Sequence, residues 1–145
     1  KSLYLDVTRL EQHNFKLREK YRRMEREDTR YEEMSTSDAE VVLVAYGSVA
    51  RICRAAVRRL REAGQKVGLF RPITLLPFPY EALAQAADGA RLFVAVEMSM
   101  GQMVEDVRLA VAGRKPVRFY GRTGGCVIAV EEVVAEINKL KEEIS

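Results

Sequence analysis

The first quarter of the chain has the hydrophobic spacing of one long helix. Residues 1–34 contain neither Gly nor Pro and are rich in Leu, Arg, Lys, Glu and Met, which favour helices. Intervals of three and four residues separate the apolar positions, and Asn14 and Asp28 interrupt them. The resulting stripe needs a hydrophobic partner surface, either on this domain or on another chain. Its members are Leu3, Val7, Leu10, Leu17, Tyr21, Met24 and Tyr31.

Beyond residue 40, short apolar runs alternate with segments of helical spacing. Strands that are apolar on both faces are typical of a parallel sheet covered by helices on both sides. The sequence therefore predicts an α/β fold of three layers, with a mainly parallel sheet of four to five strands preceded by the long N-terminal helix. With right-handed crossovers, we expect the strand order 2-1-3-4. The predicted strands are 41–46, 67–70, 91–97 and 117–120, and the predicted helices are 49–63, 80–87, 101–112 and 130–143.

Composition and charge exclude several classes of protein. The 145 residues are 48% hydrophobic and 31% charged, which is a globular balance. No apolar run approaches the roughly 20 residues of a membrane span. The two cysteines, Cys53 and Cys126, form no CxxC pair, so we predict neither a metal site nor a disulfide framework. A reduced, cytoplasmic setting is the default expectation.

Arginines crowd one face of the helix predicted at 49–63. Arg51, Arg54 and Arg58 share this face, which leaves two interpretations open, a solvated surface and a docking surface for an acidic partner. The net charge of the chain is only +3, and no aromatic residues interleave with the arginines. Nucleic acid is therefore not a predicted partner.

Ligands and partners of such folds meet the loops at the carboxyl ends of the strands. After the first strand, Ser48 is placed either to cap the next helix or, with the backbone of Gly47, to hold an anion. After the fourth strand, Arg122 and the glycines that follow form either a flexible turn or a phosphate cradle. The loop residues predicted to face a partner or ligand are Gly47, Ser48, Arg71, Pro72, Glu97, Met98, Gly101, Gln102, Arg122, Gly124 and Gly125.

The most distinctive stretch is Glu97 to Met103. Glu97 ends the third predicted strand, where a lone carboxylate can bind a ligand or do acid–base work. Ser99 is placed to cap the following helix. Gly101 is placed either to open that helix or to allow a close approach. The methionines of the stretch form an adaptable apolar surface, and no histidine lies near. We therefore favour packing and an interface over catalysis, and predict no catalytic residue in this chain.

Four groups of residues carry a family resemblance. They are Asp38 to Ser48, Lys66 to Pro79, Glu97 to Met103 with Asp106, and Gly124-Gly125 before Glu131-Glu132. With them the chain resembles the C-terminal domain of the alpha subunit of 2-oxoacid:ferredoxin oxidoreductases, of the 2-oxoglutarate or 2-oxoisovalerate type. That domain looks like the C-terminal domain of transketolases. The resemblance implies a helix over 1–37 that links to a preceding domain, and a transketolase C-terminal-like α/β domain over 38–145.

The resemblance also implies a reaction. Enzymes of this family oxidatively decarboxylate a 2-oxoacid, form an acyl-coenzyme A and pass electrons to ferredoxin, using thiamine diphosphate, Mg²⁺ and iron–sulfur clusters. The chain lacks a GDG motif with paired asparagines for the diphosphate and a cysteine set for a cluster. We therefore expect this chain to bind none of these cofactors and to be inactive alone. The implied role is subunit assembly and shaping the edge of a shared active site, with the beta subunit and the preceding domain as partners.

A second class of function stays open on the residues alone. The same fold also suits a free-standing interaction module or a small-ligand-binding module, because fold does not determine function. In either case the apolar stripe of the N-terminal helix needs cover. In the chain by itself, we expect a homodimer through Leu3, Val7, Leu10, Leu17, Tyr21 and Met24, with Asn14 setting the register.

Overall fold

The computed structural model describes residues 4–144, and from β2 onward the chain alternates between strands and helices. The helices are α1 (Val7–Glu27), α2 (Gly47–Glu62), α3 (Tyr80–Ala86), α4 (Met103–Val111) and α5 (Val130–Ile144). The strands are β1 (Tyr31–Met34), β2 (Val41–Val44), β3 (Val67–Pro72), β4 (Leu92–Glu97) and β5 (Val117–Gly121).

The strands form one sheet in the order β1-β3-β2-β4-β5. All neighbouring pairs are parallel except β1 with β3, which are antiparallel. The four predicted strands are β2 to β5, and the predicted order 2-1-3-4 is confirmed. In the register at the centre of the sheet, Leu43 lies between Leu69 and Val94.

The core has two halves, one on each face of the sheet. Every residue of β2 and β4 is buried, because alternate side chains enter opposite halves. Leu43 and Val94 pack with α2 and α5 on one face, whereas Val44 and Phe93 pack with α3 and α4 on the other. The predicted three-layer α/β fold is confirmed.

The N-terminal helix is shorter than predicted. A single helix over residues 1–34 is wrong at its end, because α1 stops at Glu27 and Tyr31 to Met34 form β1. The antiparallel pairing with β3 supplies backbone hydrogen bonds to this segment, and Tyr31 stacks on Phe70 with ring centroids 5.1 Å apart. Tertiary contacts therefore override the helix propensity of the local sequence.

The helix α1 projects from the sheet and contains no buried residue. Val7, at 79% exposure, stands open to solvent, and Leu10 and Tyr21 are also exposed. Leu17 and Met24 are half-buried, and Leu3 lies outside the described residues. None of the described helices is both long enough and apolar enough for a bilayer span.

Candidate site at the carboxyl edge of the sheet

Glu97 is a fully buried carboxylate at the end of β4. Its Oε2 accepts hydrogen bonds from the Met103 amide at 3.0 Å and the Ser99 hydroxyl at 3.0 Å. Its Oε1 accepts one from the Val104 amide at 2.9 Å. The carboxylate therefore satisfies free amides in the first turn of α4 and complements the helix dipole. In this structure Glu97 stabilises the loop, and both of its carboxylate oxygens already accept hydrogen bonds from it or from α4.

The prediction that Ser99 caps α4 is wrong, because Glu97 takes that role from six residues upstream. Ser99 Oγ instead accepts from the Gly101 amide at 3.2 Å, inside the loop. Gly101 does not open the helix, which begins at Met103. Its φ of +101°, and the Val104 side chain 3.2 Å from where a Cβ would stand, explain the glycine.

The loop between β4 and α4 exposes apolar side chains beside the end of β5. Met100 is 81% exposed, and Met98 and Phe119 are also exposed. The Phe119 ring lies next to Gly101, 3.4 Å from a Cβ built there. Met98, Met100 and Phe119 form an exposed apolar surface. The prediction that Met103 shares this surface is wrong, because Met103 is buried in the core. The partner of the surface stays a prediction. Gln102 is exposed beside them.

The glycine-rich loop after β5 is tied to the same edge. The Arg122 amide donates to the Glu97 carbonyl at 3.2 Å, and the Arg122 guanidinium pairs with Glu132. Glu132 also accepts from the Ala129 amide at 2.7 Å, at the start of α5. Gly124 and Gly125 are exposed. Because Arg122 has an internal carboxylate partner, the geometry favours the turn over the phosphate cradle.

The turn between β2 and α2 differs from the predicted cap. The helix begins at Gly47, with Tyr46 as its N-cap residue and no side chain bonded there. Gly47 has a φ of +57°, and the helix begins two residues earlier than predicted, so Ser48 lies inside its first turn. The prediction that Ser48 caps this helix is therefore wrong. The alternative of an anion site stays open.

Arg71 lies next to this turn, at the carboxyl end of β3. Its Nη1 and the Nη2 of Arg54 each lie 2.9 Å from Oε2 of Glu32, a residue of β1. The hydrogen bond from Arg71, aided by Arg54, holds the pKa of Glu32 below its usual value. Pro72 is buried and pairs with Tyr31, and its predicted place at a partner or ligand stays a prediction. Glu32 was missed by the sequence analysis, because residues 1–34 were assigned to a helix.

The predicted loop residues therefore form two groups at one edge of the sheet. Gly47 and Arg71 share a small pocket between β2 and β3. Glu97 and Arg122 are joined by the backbone hydrogen bond between β4 and β5. The sequence indicated this grouping through the predicted parallel sheet, because the carboxyl ends of parallel strands lie at the same edge.

An apolar groove lies where α1 meets the segment between β3 and α3. The groove has a volume of about 210 Å³ and includes Tyr21 and Met24 of α1 with Leu75 and Leu76 opposite. Leu76 is 82% exposed. The groove therefore extends the apolar stripe of α1 onto the body of the domain.

The described residues bring together no cluster of side chains suited to the metal ions that the family resemblance implies. Among residues 4–144, no group of three His, Cys, Asp or Glu side chains is placed to hold a metal ion. Cys53 is buried in the core, where desolvation raises the pKa of its thiol to about 12, and Cys126 is exposed. The expectation that this chain binds none of the cofactors stays a prediction.

Comparisons with known proteins agree with this geometry. The family described as pyruvate:ferredoxin oxidoreductase core domain II matches residues 39–133. The chain is 46% identical, over 99% of its length, to ketoisovalerate oxidoreductase subunit VorB of Methanothermobacter thermautotrophicus. It is 30% identical, over 73% of its length, to 2-oxoglutarate synthase subunit KorA of Methanothermobacter marburgensis. The chain spans 41% of the first relative and 28% of the second.

Two solved structures share the fold. One is a 2-oxoglutarate:ferredoxin oxidoreductase from Magnetococcus marinus, with a TM-score of 0.77 and 22% identity over 98% of this chain and 24% of that one. The other is a split-gene transketolase, with a TM-score of 0.63 and 20% identity over 76% of this chain and 40% of that one. The predicted transketolase-like fold is confirmed. From the match over residues 39–133, the chain belongs to the pyruvate:ferredoxin oxidoreductase core domain II family, a domain of 2-oxoacid:ferredoxin oxidoreductase subunits.

Proposed function

We propose that this chain is the C-terminal domain of a 2-oxoacid:ferredoxin oxidoreductase alpha subunit and that it acts in subunit assembly. The whole enzyme would oxidatively decarboxylate a 2-oxoacid to an acyl-coenzyme A and reduce ferredoxin. Thiamine diphosphate, Mg²⁺ and the iron–sulfur clusters would be held by other domains or subunits. This chain would shape the edge of the shared active site through the loops at the carboxyl ends of β4 and β5.

The observation that carries this proposal is the exposed apolar face of α1. The stripe continues from Val7 and Leu10 to Tyr21, and then into the groove beside Leu75 and Leu76. The helix α1 has 21 residues. Helices in proteins gain most of their stability from packing of their apolar face against other elements. A surface of this length is therefore suited to a neighbouring domain or the beta subunit.

Between the two types of substrate, the similarity favours a branched 2-oxoacid. The relative named for ketoisovalerate matches 99% of this chain at 46% identity, whereas the relative named for 2-oxoglutarate matches 73% at 30%. The more extensive match therefore supports a 2-oxoisovalerate type. The substrate itself would be selected by parts of the enzyme outside this chain.

The isolated chain is expected to fold and to show no oxidoreductase turnover. The reason is that the chain has neither a GDG motif with paired asparagines for the diphosphate nor a cysteine set for an iron–sulfur cluster. The test is viologen dye reduction with 2-oxoisovalerate, coenzyme A, thiamine diphosphate and Mg²⁺. The intact multisubunit enzyme is the positive control. Dye reduction by the chain above a heat-treated sample would refute the expectation that the chain is inactive alone.

The isolated chain is also expected to form a homodimer through α1. The double variant Leu10→Gln, Leu17→Gln should weaken dimerisation by at least about tenfold, because each change removes buried apolar area from the interface. Sedimentation equilibrium over a range of concentrations measures the dissociation constant. Circular dichroism confirms that the variant keeps its helix content.

Phe15→Gln supplies the matched control. Phe15 is also an exposed apolar residue of α1, but it falls outside the three-and-four spacing of the stripe. Its substitution should change the dissociation constant less than about threefold. A monomeric parent chain, or equal weakening by Phe15→Gln, would contradict the assignment of the stripe as the interface.

A further inference from the structure

A small basic pocket lies between the carboxyl ends of β2 and β3. Its volume is about 140 Å³, and it is lined by Gly47, Ala50, Arg51, Arg54 and Arg71. A wider groove of about 390 Å³ continues from it along α2. Arg54 and Arg71 line both cavities. The pocket and the wider groove are therefore neighbours that share these two arginines.

The charges of the pocket are not balanced within the chain. Arg54 and Arg71 share a single oxygen of Glu32, at 2.9 Å from each guanidinium. Arg51 is exposed and has no ion pair with any residue in 4–144. Three guanidinium groups therefore surround one pocket with one carboxylate among them. Such a cluster repels itself unless an anion joins it.

Two further observations point to a missing acceptor. The Nε of Arg71 is buried and has no hydrogen-bond partner in the described chain, which is a costly state for a guanidinium N–H. The first turn of α2, which Gly47 opens, has no acidic residue and no side-chain cap. A guanidinium N–H of Arg71 and the first turn of α2 therefore both lie beside the pocket without an acidic side chain bonded to them.

We propose that this pocket binds a phosphoryl dianion, carried either by free phosphate or by a phosphate monoester. Three arginines less one glutamate leave two positive charges, which the dianion of a phosphoryl group matches and a carboxylate only half neutralises. Arginine guanidinium groups bind phosphate oxygens with paired N–H donors. The site is separate from the 2-oxoacid reaction proposed above and does not depend on it.

The wider groove offers a place for the rest of such an ester. Its lining combines Met34 and Leu69 with the exposed Arg58. An apolar substituent on the phosphate would contact the two hydrophobic side chains. The same chemistry is available from free inorganic phosphate and from an ester, so both serve as probes.

The test is a titration of the ¹⁵N-labelled full chain with inorganic phosphate and with phenyl phosphate at constant ionic strength, followed by NMR. We expect saturable shifts of the Ser48 amide and of the Arg51 and Arg71 side-chain Nε–H signals. Arg51→Gln should weaken binding of both probes at least about tenfold, because a charged hydrogen-bond donor is lost. Tighter binding of phenyl phosphate identifies an ester as the occupant, and equal binding identifies free phosphate. Either result supports the phosphoryl site.

Arg58→Gln is the matched control. Like Arg51→Gln, it removes one positive charge from the same face of α2. Arg58, however, lines only the wider groove and not the pocket. Its effect on inorganic phosphate should stay below about threefold. Equal weakening by the two variants would overturn the proposal in favour of general electrostatic attraction. The absence of saturation, or acetate binding as tightly as phosphate, would also overturn it.

Discussion

Replacing Glu97 by alanine is expected to lower the free energy of unfolding by about 3–5 kcal/mol. The substitution removes the acceptor of the Met103 and Val104 amides, which are buried donors with no other partner at the start of α4. It also leaves a cavity where a fully buried side chain stood. Urea denaturation followed by circular dichroism measures the change. A loss below about 1 kcal/mol would contradict the capping role of this carboxylate.

Two further variants separate hydrogen bonding from volume and charge. Glu97→Gln keeps the size of the side chain but turns an NH₂ group towards one of the two amides, so a smaller loss of about 2 kcal/mol is expected. Glu105→Gln alters an exposed carboxylate of the same helix that pairs only with Arg108. Its effect should stay within about 0.5 kcal/mol. This order of losses distinguishes a buried cap from a general effect of charge near α4.

The sheet and its layers were accessible to sequence analysis because the hydrophobic signal there is strong. The residues of β2 and β4 are buried on both faces, so their runs of Val, Leu and Phe stand out against any helical spacing. The strand order followed from the handedness of parallel crossovers, which is nearly invariant. Neither step needs knowledge of contacts between distant residues.

The strand β1 was not predictable in the same way. Its four residues, Tyr31 to Met34, include two glutamates and are mostly exposed, so they carry no period-two signal. Pairing with β3, together with the ion pairs from Glu32 to two arginines, stabilises the strand. All of these partners are distant in sequence. Local propensity therefore favoured a continued helix, whereas contacts with residues distant in sequence stabilise a strand.

The candidate site was likewise predictable only in part from the sequence. Glu97 was identified from its position at a strand end, but its partners in α4 follow a spacing that no standard helix cap uses. Arg71 was identified from its loop, and Arg54 from its helix face. Their meeting at Glu32 depends on the unpredicted strand β1. The exposed side chains of Met98 and Met100 were predicted from their place in a loop at a strand end, whereas Met103 was misplaced because it begins α4 and is buried.

Replacing Gly68 by alanine is expected to lower the free energy of unfolding by about 2–3 kcal/mol. A Cβ at this position in β3 would stand 2.6 Å from the Ser35 carbonyl oxygen and 3.0 Å from the Thr36 Cα. Both neighbours are backbone atoms of the connection between β1 and β2, so neither can turn aside. Arg61 restrains this connection further, because its Nη2 donates to the Ser35 carbonyl at 2.7 Å and to Asp38 at 2.6 Å.

The matched control for this variant is Gly89→Ala. Gly89 faces the same connection, but the nearest atom to its Cβ would be the Ser37 carbonyl oxygen at 4.0 Å. Its φ lies outside the left-handed region, so the new methyl group has room and the stability should change by less than about 0.5 kcal/mol. Urea denaturation of the two variants side by side measures the difference. Equal effects would show that the connection moves freely over β3, and would remove the close approach at Gly68 as the reason for a glycine in this strand.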